Sequence, residues 1–320
     1  MNEFEIIEKY FAAAGRQRAD VAVGIGDDAA VLDPPTGRQL VLTTDVLVAG
    51  VHFPENTDPA AIGHKALAVN LSDLAAMGAE PAWATLGLTL PEADEAWLEK
   101  FSRGLLALAA QYDVQLVGGD TTRGPLTIAV QLAGFVPRGA ALLRSRAQAG
   151  DDIYVTGEIG DSVLALAALQ SRMELAAAPL AAARRRLDWP QPRVREGMAL
   201  RGLASAAIDV SDGLLADLGH IATCSGVKAV IESHAVPLSS AVQSALDSGF
   251  SLEDALGGGD DYELCFAAAP DRRGEIERVF RDLGTRLTRI GALMAGDGVI
   301  CLAPDGRALR LAHDGYAHFR

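Results

Sequence analysis

The sequence predicts an α/β (α+β) protein of two domains, each a layered arrangement of strands and helices. Three observations predict it. The 320 residues exceed the length at which one hydrophobic core stops growing. Runs rich in β-branched residues alternate with stretches of helical period along the chain. Residues 137–150, PRGAALLRSRAQAG, break that alternation with proline, glycine and three arginines, which sets the expected domains at 1–137 and 138–320.

Taken in order, Phe4, Ile7, Tyr10 and Phe11 recur at helical spacing, so residues 4–14 read as an amphipathic helix stopped by Gly15. VAVGIGDDAAVL then reads as a short strand, a turn over 24–28 and a second strand. Residues 39–48 form a strand carrying polar Thr43, Thr44 and Asp45. Asp58 before Pro59 is an N-cap followed by proline in the first helical position, and the helix runs to about Met77, with Gly78 its stop. Strands are expected over 82–90, 114–117 (ending in a GGD turn) and 126–136, with a helix over 92–112. In the second half DDIYVTG reads as a strand entered through a solvated Asp151-Asp152 turn, followed by a helix over 161–170 and an arginine-rich helical stretch to about Leu203. A strand over 207–210 leads to Ser211-Asp212-Gly213, which caps a helix reaching about Cys224. Strand 228–231, helix 238–248, the glycine turn 257–263, strand 264–268, helix 273–283 and strands near Ile290 and Ile300 complete the chain.

With 49% apolar and 22% charged residues, the composition is that of a folded protein and not of a disordered one. A net charge of -14 argues against a nucleic acid partner, because phosphate backbones are repelled. The longest basic run, Arg184 to Arg186, reads as a solvated helix face. Cys224, Cys265 and Cys301 are odd in number, widely spaced and without a CxxC pair, so they read as reduced, buried thiols and not as a disulfide framework or a zinc site. No apolar run approaches the roughly 18 residues of a membrane span. The charged N-terminal segment is no signal peptide, and a cytoplasmic protein is expected.

Five acidic turns carry the chemistry: GDD with Asp27 and Asp28, TTD with Asp45, NLSD with Asp73, GGD with Asp120, and IDVSDG with Asp209 and Asp212. Each alone is ordinary turn chemistry. As a set, placed near the ends of strands and helices, Asp28, Asp45, Asp73, Asp120, Asp209 and Asp212 can converge on one cleft. Six carboxylates at close range repel one another without cations, and oxygen ligands of this kind suit several Mg²⁺ ions held against the phosphates of a nucleotide. Asn70, Asp73 and Met77 share a helix face. Arg144 and Arg146 are either phosphate contacts or solvated arginines, and His52 is either a ligand-binding residue or a loop histidine. There is no GxxxxGK[ST] loop, no protein kinase motif set, no GxSxG and no HExxH.

Seven segments in order, GIGDDAAV, TTDVLVAGVHF, KALAVNLSDLAAMGAEPAW, GGDTTRGPL, GDDIYVTGEIGDS, AIDVSDGLLADLGHI and GGGDDYELCF, resemble the thiamine-monophosphate kinase family. They cover nearly the whole chain. That resemblance implies the two-domain ATP-binding fold of the aminoimidazole ribonucleotide synthetase superfamily, with an N-terminal domain that dimerises through its sheet and a C-terminal α/β domain that closes the cleft. It implies ATP-dependent phosphorylation of thiamine monophosphate to thiamine diphosphate. By motif, Asp28, Thr43, Thr44, Asp45, Asp73, Asp120, Asp209 and Asp212 would be metal ligands. Asp28, Gly119, Asp120, Arg144 and Ser211 would contact ATP, and His52, Asp260 and Tyr316 would lie near the thiamine phosphate. Asp260 stands where glutamate is expected as commonly as aspartate.

The chemistry so implied is direct in-line transfer with no covalent catalytic residue, since the attacking phosphate oxygen is already anionic. Two other readings compete. A sister enzyme of the superfamily is one, although selenophosphate synthetase carries a reactive Cys or selenocysteine near its N-terminus and no cysteine here precedes Cys224. The other is a nucleotide-binding or divalent-ion-binding protein without turnover.

Overall fold

In the computed structural model, residues 1–12, 15–309, 311 and 315 are described. They divide into two compact units, Met1–Leu74 with Ala79–Gly139, and Ala75–Gly78 with Ala140–Arg320.

The first unit opens with α1 (Glu3–Ile7), which continues as a wider π turn over Glu8–Ala12. Asn2 caps it through a reciprocal bond pattern with Glu5. Then come β1 (Val21–Val23), β2 (Val31–Leu32), β3 (Arg38–Val48), α2 (Pro59–Ala76), β4 (Glu80–Leu90), α3 (Glu95–Gln111), β5 (Gln115–Arg123) and β6 (Thr127–Pro137). As the Asp58-Pro59 pair predicts, Asp58 accepts the Ala60 N–H at 2.8 Å. Strands β3, β6, β4 and β5 form one sheet in that order, antiparallel except for β4 and β5. That parallel pair is joined through α3, as a parallel connection requires.

Period-2 alternation assigns the two faces of this sheet. One face carries Thr43 and Gly134 against α2: Thr43 Oγ1 donates to the Asp73 carboxylate, and a Cβ at Gly134 would lie 2.9 Å from Leu74 Cδ1. Helices α2 and α3 cross backbone to backbone through two glycines, since a Cβ at Gly63 would sit 2.1 Å from the Phe101 carbonyl oxygen and one at Gly104 2.0 Å from that of Ala60. Larger residues there would separate the helices. On the opposite face Trp83 packs edge-on to Phe135 at 4.9 Å, and Val21, Ala30 and Leu32 cover this cluster from the β1–β2 hairpin. Leu40, Leu42 and Val46 of the edge strand β3 stay 49%, 57% and 48% exposed on that face.

The second unit contains β7 (Asp152–Thr156), α4 (Asp161–Leu169), α5 (Ala177–Asp188), α6 (Val194–Ala199), β8 (Ala206–Asp209), α7 (Leu214–Ser225), β9 (Lys228–Glu232), α8 (Ser240–Asp247), α9 (Leu252–Gly257), β10 (Leu264–Ala268), α10 (Arg273–Leu283), β11 (Leu287–Met294) and β12 (Gly298–Leu302). Its six strands run in the order β12, β9, β11, β7, β10, β8, with β9 and β12 the parallel pair. Ile153, Val155, Cys265 and Ala267 face α7, which contributes Leu214, Leu218 and Ile221 to the same core. The alternate residues Tyr154 and Phe266 stack at 5.1 Å, and Phe280 of α10 stacks on Phe266 at 5.8 Å. Burying each such phenyl ring contributes about 2–3 kcal/mol, so helices on both faces hold the sheet.

Three expectations are corrected by the structure. Asp151 and Asp152 are not a solvated turn but 5% and 1% exposed. Asp152 binds Arg273 at 2.7 Å and Arg289 at 2.6 Å, while Asp151 accepts from Ser205 Oγ at 2.5 Å. Arg186 leaves the solvated helix face to meet buried Glu263 at 2.8 Å. Cys224 is exposed, although Cys265 and Cys301 are buried. Helix α9, capped by Ser251, was not expected, because its six residues are too few to show a period.

Burial would raise the Asp152 carboxyl, but hydrogen bonds from Arg273 and Arg289 outweigh it and hold the group below the usual carboxylate range. A carboxyl depressed in the folded state adds stability above its unfolded pKa of about 4 and loses it as the pH falls through the folded value. Replacing both arginines by Met strands a buried charge and should destabilise the protein by about 3–5 kcal/mol at neutral pH. Denaturant melts should show the gap between wild type and the double variant narrowing below about pH 4.

Candidate active site

In the first unit the β1–β2 loop carries Asp27 and Asp28, both exposed, with Asp27 Oδ1 accepting the Asp28 N–H at 2.8 Å. The GGD segment is not a turn but the middle of β5, paired with Leu86 and Gly87 of β4. Gly119 is required there: its φ is +151°, and a Cβ would meet the Leu86 carbonyl oxygen at 2.0 Å. Asp120 follows, exposed, its Oδ1 accepting the Thr121 N–H at 2.9 Å. The two segments line one cavity of about 1100 Å³ together with Phe4, Ile7 and Thr85. The structure thus brings Asp27, Asp28, Gly119 and Asp120 together around a space of small-molecule size.

A second group lies on the other face of the same sheet. Thr43 and Asp45 alternate with exposed Thr44 along β3, and Thr43 is bonded to half-buried Asp73. Three residues before Asp73, the Asn70 side chain is fully buried. Its Nδ2 donates to the Ala66 carbonyl at 3.1 Å, but its Oδ1 has no hydrogen-bond partner. His52 Nδ1 accepts the Val48 N–H at 3.0 Å, and the His52 carbonyl accepts from Lys65 Nζ at 3.3 Å.

The third group belongs to the second unit. Asp209 ends β8 and is 2% exposed. Ser211 and Asp212 follow, half-buried, before Gly213, the N-cap of α7 at φ +113°. The expected cap by Ser211 or Asp212 is absent: α7 has no side-chain cap bond. Instead Asp217, inside the helix, accepts the Ser211 and Asp212 N–H groups at 2.9 and 3.0 Å. Burial pushes the Asp217 carboxyl up to about 7 against the pull of those two donors. The glycine turn 257–263 lies on this segment. Asp260 N–H donates to the Ser211 carbonyl at 2.9 Å, and a Cβ at Gly259 would sit 2.3 Å from that same oxygen. Asp260 and Tyr262 hold left-handed φ values of +71° and +50°, and Tyr262 Oη donates to Asp260 Oδ1 at 2.8 Å. Non-glycine residues adopt such values only where the surroundings compel them. Arg144 and Arg146 are exposed. Tyr316 lies outside the described residues.

Among the described residues no group of three or more His, Cys, Asp or Glu is placed to hold a metal. Within the first unit the reason is strand parity. Asp120 is in register, through Gly87 and Ala129, with Val46, one residue from Asp45 and so on the opposite face. Both acids sit inside strands and not at their ends. Sequence reasoning also missed Asp217. Its signal was an acid in the apolar stripe of Leu214, Leu218 and Ile221, where a charge needs a buried partner.

Residues 26–136 match the family profile of AIR synthase related protein, N-terminal domain, and residues 148–302 that of its C-terminal domain. The thiamine-monophosphate kinase of Escherichia coli strain K12 is 50% identical over 319 residues, which is 99% of this chain and 98% of that protein. Among solved structures, the thiamine-monophosphate kinase from Stenotrophomonas maltophilia K279a is 51% identical with a TM-score of 0.86, over 92% of this chain and 93% of that one. AaThiL complexed with AMPPCP and TMP is 35% identical with a TM-score of 0.79, over 92% of each chain. By its near full-length identity to these proteins, the chain belongs to the thiamine-monophosphate kinase family of the AIR synthase related proteins.

Proposed function

We propose that this protein transfers the γ-phosphoryl group of ATP to thiamine monophosphate, forming thiamine diphosphate and ADP as the final step of thiamine diphosphate synthesis. One observation carries the reading: 35% identity over 92% of its length to a structure complexed with AMPPCP and TMP, the first a non-transferable ATP analogue.

A phosphate oxygen of the acceptor attacks the γ-phosphorus in line, and ADP leaves. No side chain is phosphorylated, and no general base is required of the protein, because the acceptor is an anion at neutral pH. The work of the chain is to hold two polyanions together and aligned. The reading assigns the ATP phosphates to Asp28, Gly119, Asp120, Arg144 and Ser211. Gly119 lets β5 run close against β4 and so sets Asp120 in the cavity wall, and Arg144 supplies positive charge. His52, Asp260 and Tyr316 take thiamine monophosphate. His52 Nδ1 accepts from the Val48 N–H, and Asp260 is held by Tyr262.

In donor chemistry the residues fit Mg²⁺, in separate groups, since Asp45 and Asp73 lie on the other sheet face from Asp28 and Asp120. Asp28, Thr43, Thr44, Asp45, Asp73, Asp120, Asp209 and Asp212 offer oxygen only, and the orphan amide oxygen of Asn70 lies one turn from Asp73. Several bound Mg²⁺ ions would lower the repulsion between the two phosphate groups. Leu40, Leu42 and Val46, exposed side by side on an edge strand, support a homodimer formed through this sheet. A cytoplasmic location is supported by three cysteines free of disulfides and by the absence, among the described residues, of a helix long and apolar enough to cross a membrane.

A coupled assay with MgATP and thiamine monophosphate should yield thiamine diphosphate, and Asp45→Ala should reduce its formation by on the order of 10²-fold or more. Well-folded wild type that makes no product would refute the thiamine reading. Leu42→Glu should sediment as a monomer where the wild type sediments as a dimer. A wild type that is monomeric, or a variant that stays dimeric, would remove this face from the interface.

A further inference from the structure

Asp217 is 3% exposed, and its Oδ2 accepts two backbone N–H groups, from Ser211 at 2.9 Å and Asp212 at 3.0 Å. Both donors lie ahead of the helix whose N-cap is Gly213. Asp217 therefore reaches back over the first turn of α7 and holds the strand-to-helix turn from inside the helix. Burying a carboxylate for this purpose is costly. The two donors belong to residues before the N-cap, so these bonds hold the entering turn and satisfy none of the free N–H groups of the helix's own first turn. Neither Ser211 nor Asp212 stands at the N-cap, which is Gly213, and Asp217 fixes the main chain that carries their side chains.

The opposite side of the turn is fixed as well. The Ser211 carbonyl accepts the Asp260 N–H, and the Val210 carbonyl accepts that of Tyr262 at 2.8 Å. The segment carrying Ser211 and Asp212 is thus clamped from its donors by Asp217 and from its acceptors by the glycine turn.

We infer that Asp217 is a positioning residue of this enzyme: by gripping the Ser211 and Asp212 amides, it turns their side chains toward the nucleotide and its metal ions instead of toward the helix end. The inference rests on the assignment of Ser211 and Asp212 to ATP and metal. It makes Asp217 a residue that acts through others, touching neither phosphate nor ion.

The test compares wild type with Asp217→Leu, branched at the same atom but larger and without an acceptor, Asp217→Asn, whose amide oxygen can take both N–H groups, and Asp212→Ala. For each, kcat, the KM for thiamine monophosphate, and the calorimetric affinity for AMPPCP in Mn²⁺ are measured, with a thermal melt to confirm folding. Asp217→Leu should lose 10- to 100-fold in kcat, as second-layer changes around metal ligands do, roughly, and bind Mn²⁺-AMPPCP about tenfold more weakly. Its KM for thiamine monophosphate should stay within about twofold, and Asp217→Asn should recover to within about threefold of wild type on every measure. A folded Asp217→Leu with unchanged kcat and AMPPCP affinity overturns the inference, as does an Asp217→Asn variant as impaired as Asp217→Leu. If Asp212→Ala is also unimpaired, the assignment of Asp212 fails with it; if Asp212→Ala alone is impaired, only the positioning role falls. Should Asp217→Leu not fold, Asp217→Ser is read in its place, and if neither folds the residue is a structural one and the inference is wrong.

Discussion

A carboxylate taken from water has to be answered by donors or by a cation, and this constraint sorts the acids of the chain into two kinds. Asp152 is answered by Arg273 and Arg289, Glu263 by Arg186, Arg193 and Thr156, and Asp217 by two backbone amides. These bonds come from within the fold, and the acids that receive them hold elements in place. Asp27 and Asp120 stand exposed around a cavity and bond only as far as the next residue's amide among the described residues. Acids placed in this way have charge to offer to a ligand. A site for a polyanion built from negative side chains makes sense only with cations between the two.

The second dependence is on bare backbone. The GGD segment of β5 runs past β4 at a separation that a Cβ on Gly119 would forbid, and the glycine turn lies against Ser211 because Gly259 has no side chain. At both places glycine lets the main chain carrying an acid approach its neighbour. The same sequence feature serves two geometries: a strand interior in one unit, a turn on a strand end in the other.

This explains what the sequence showed and what it did not. Strands β3, β4 and β6 and helices α2, α3, α7 and α10 were legible because apolar periodicity and signals such as Asp58-Pro59 act locally. Of the acidic motifs, those of Asp28, Gly119 and Asp120 share a cavity. Strand parity stayed hidden: Asp45 follows two threonines and Asp120 two glycines, both within strands, yet pairing register puts them on opposite faces. Partners distant in sequence were equally hidden. Asp152 looked like a solvated turn because Arg273 and Arg289 lie more than a hundred residues away, and Ser211-Asp212-Gly213 looked like a cap although its first two residues precede the N-cap and are held by Asp217, later in the helix.

The central claim is that these carboxylates take up divalent ions when a nucleotide brings its phosphates. Electron paramagnetic resonance of Mn²⁺, titrated into the protein with AMPPCP present, reads this directly. The account predicts more tightly held Mn²⁺ per chain than AMPPCP binds alone, with at least one ion lost in Asp120→Asn. Mn²⁺ uptake no greater than that of the nucleotide by itself would contradict it.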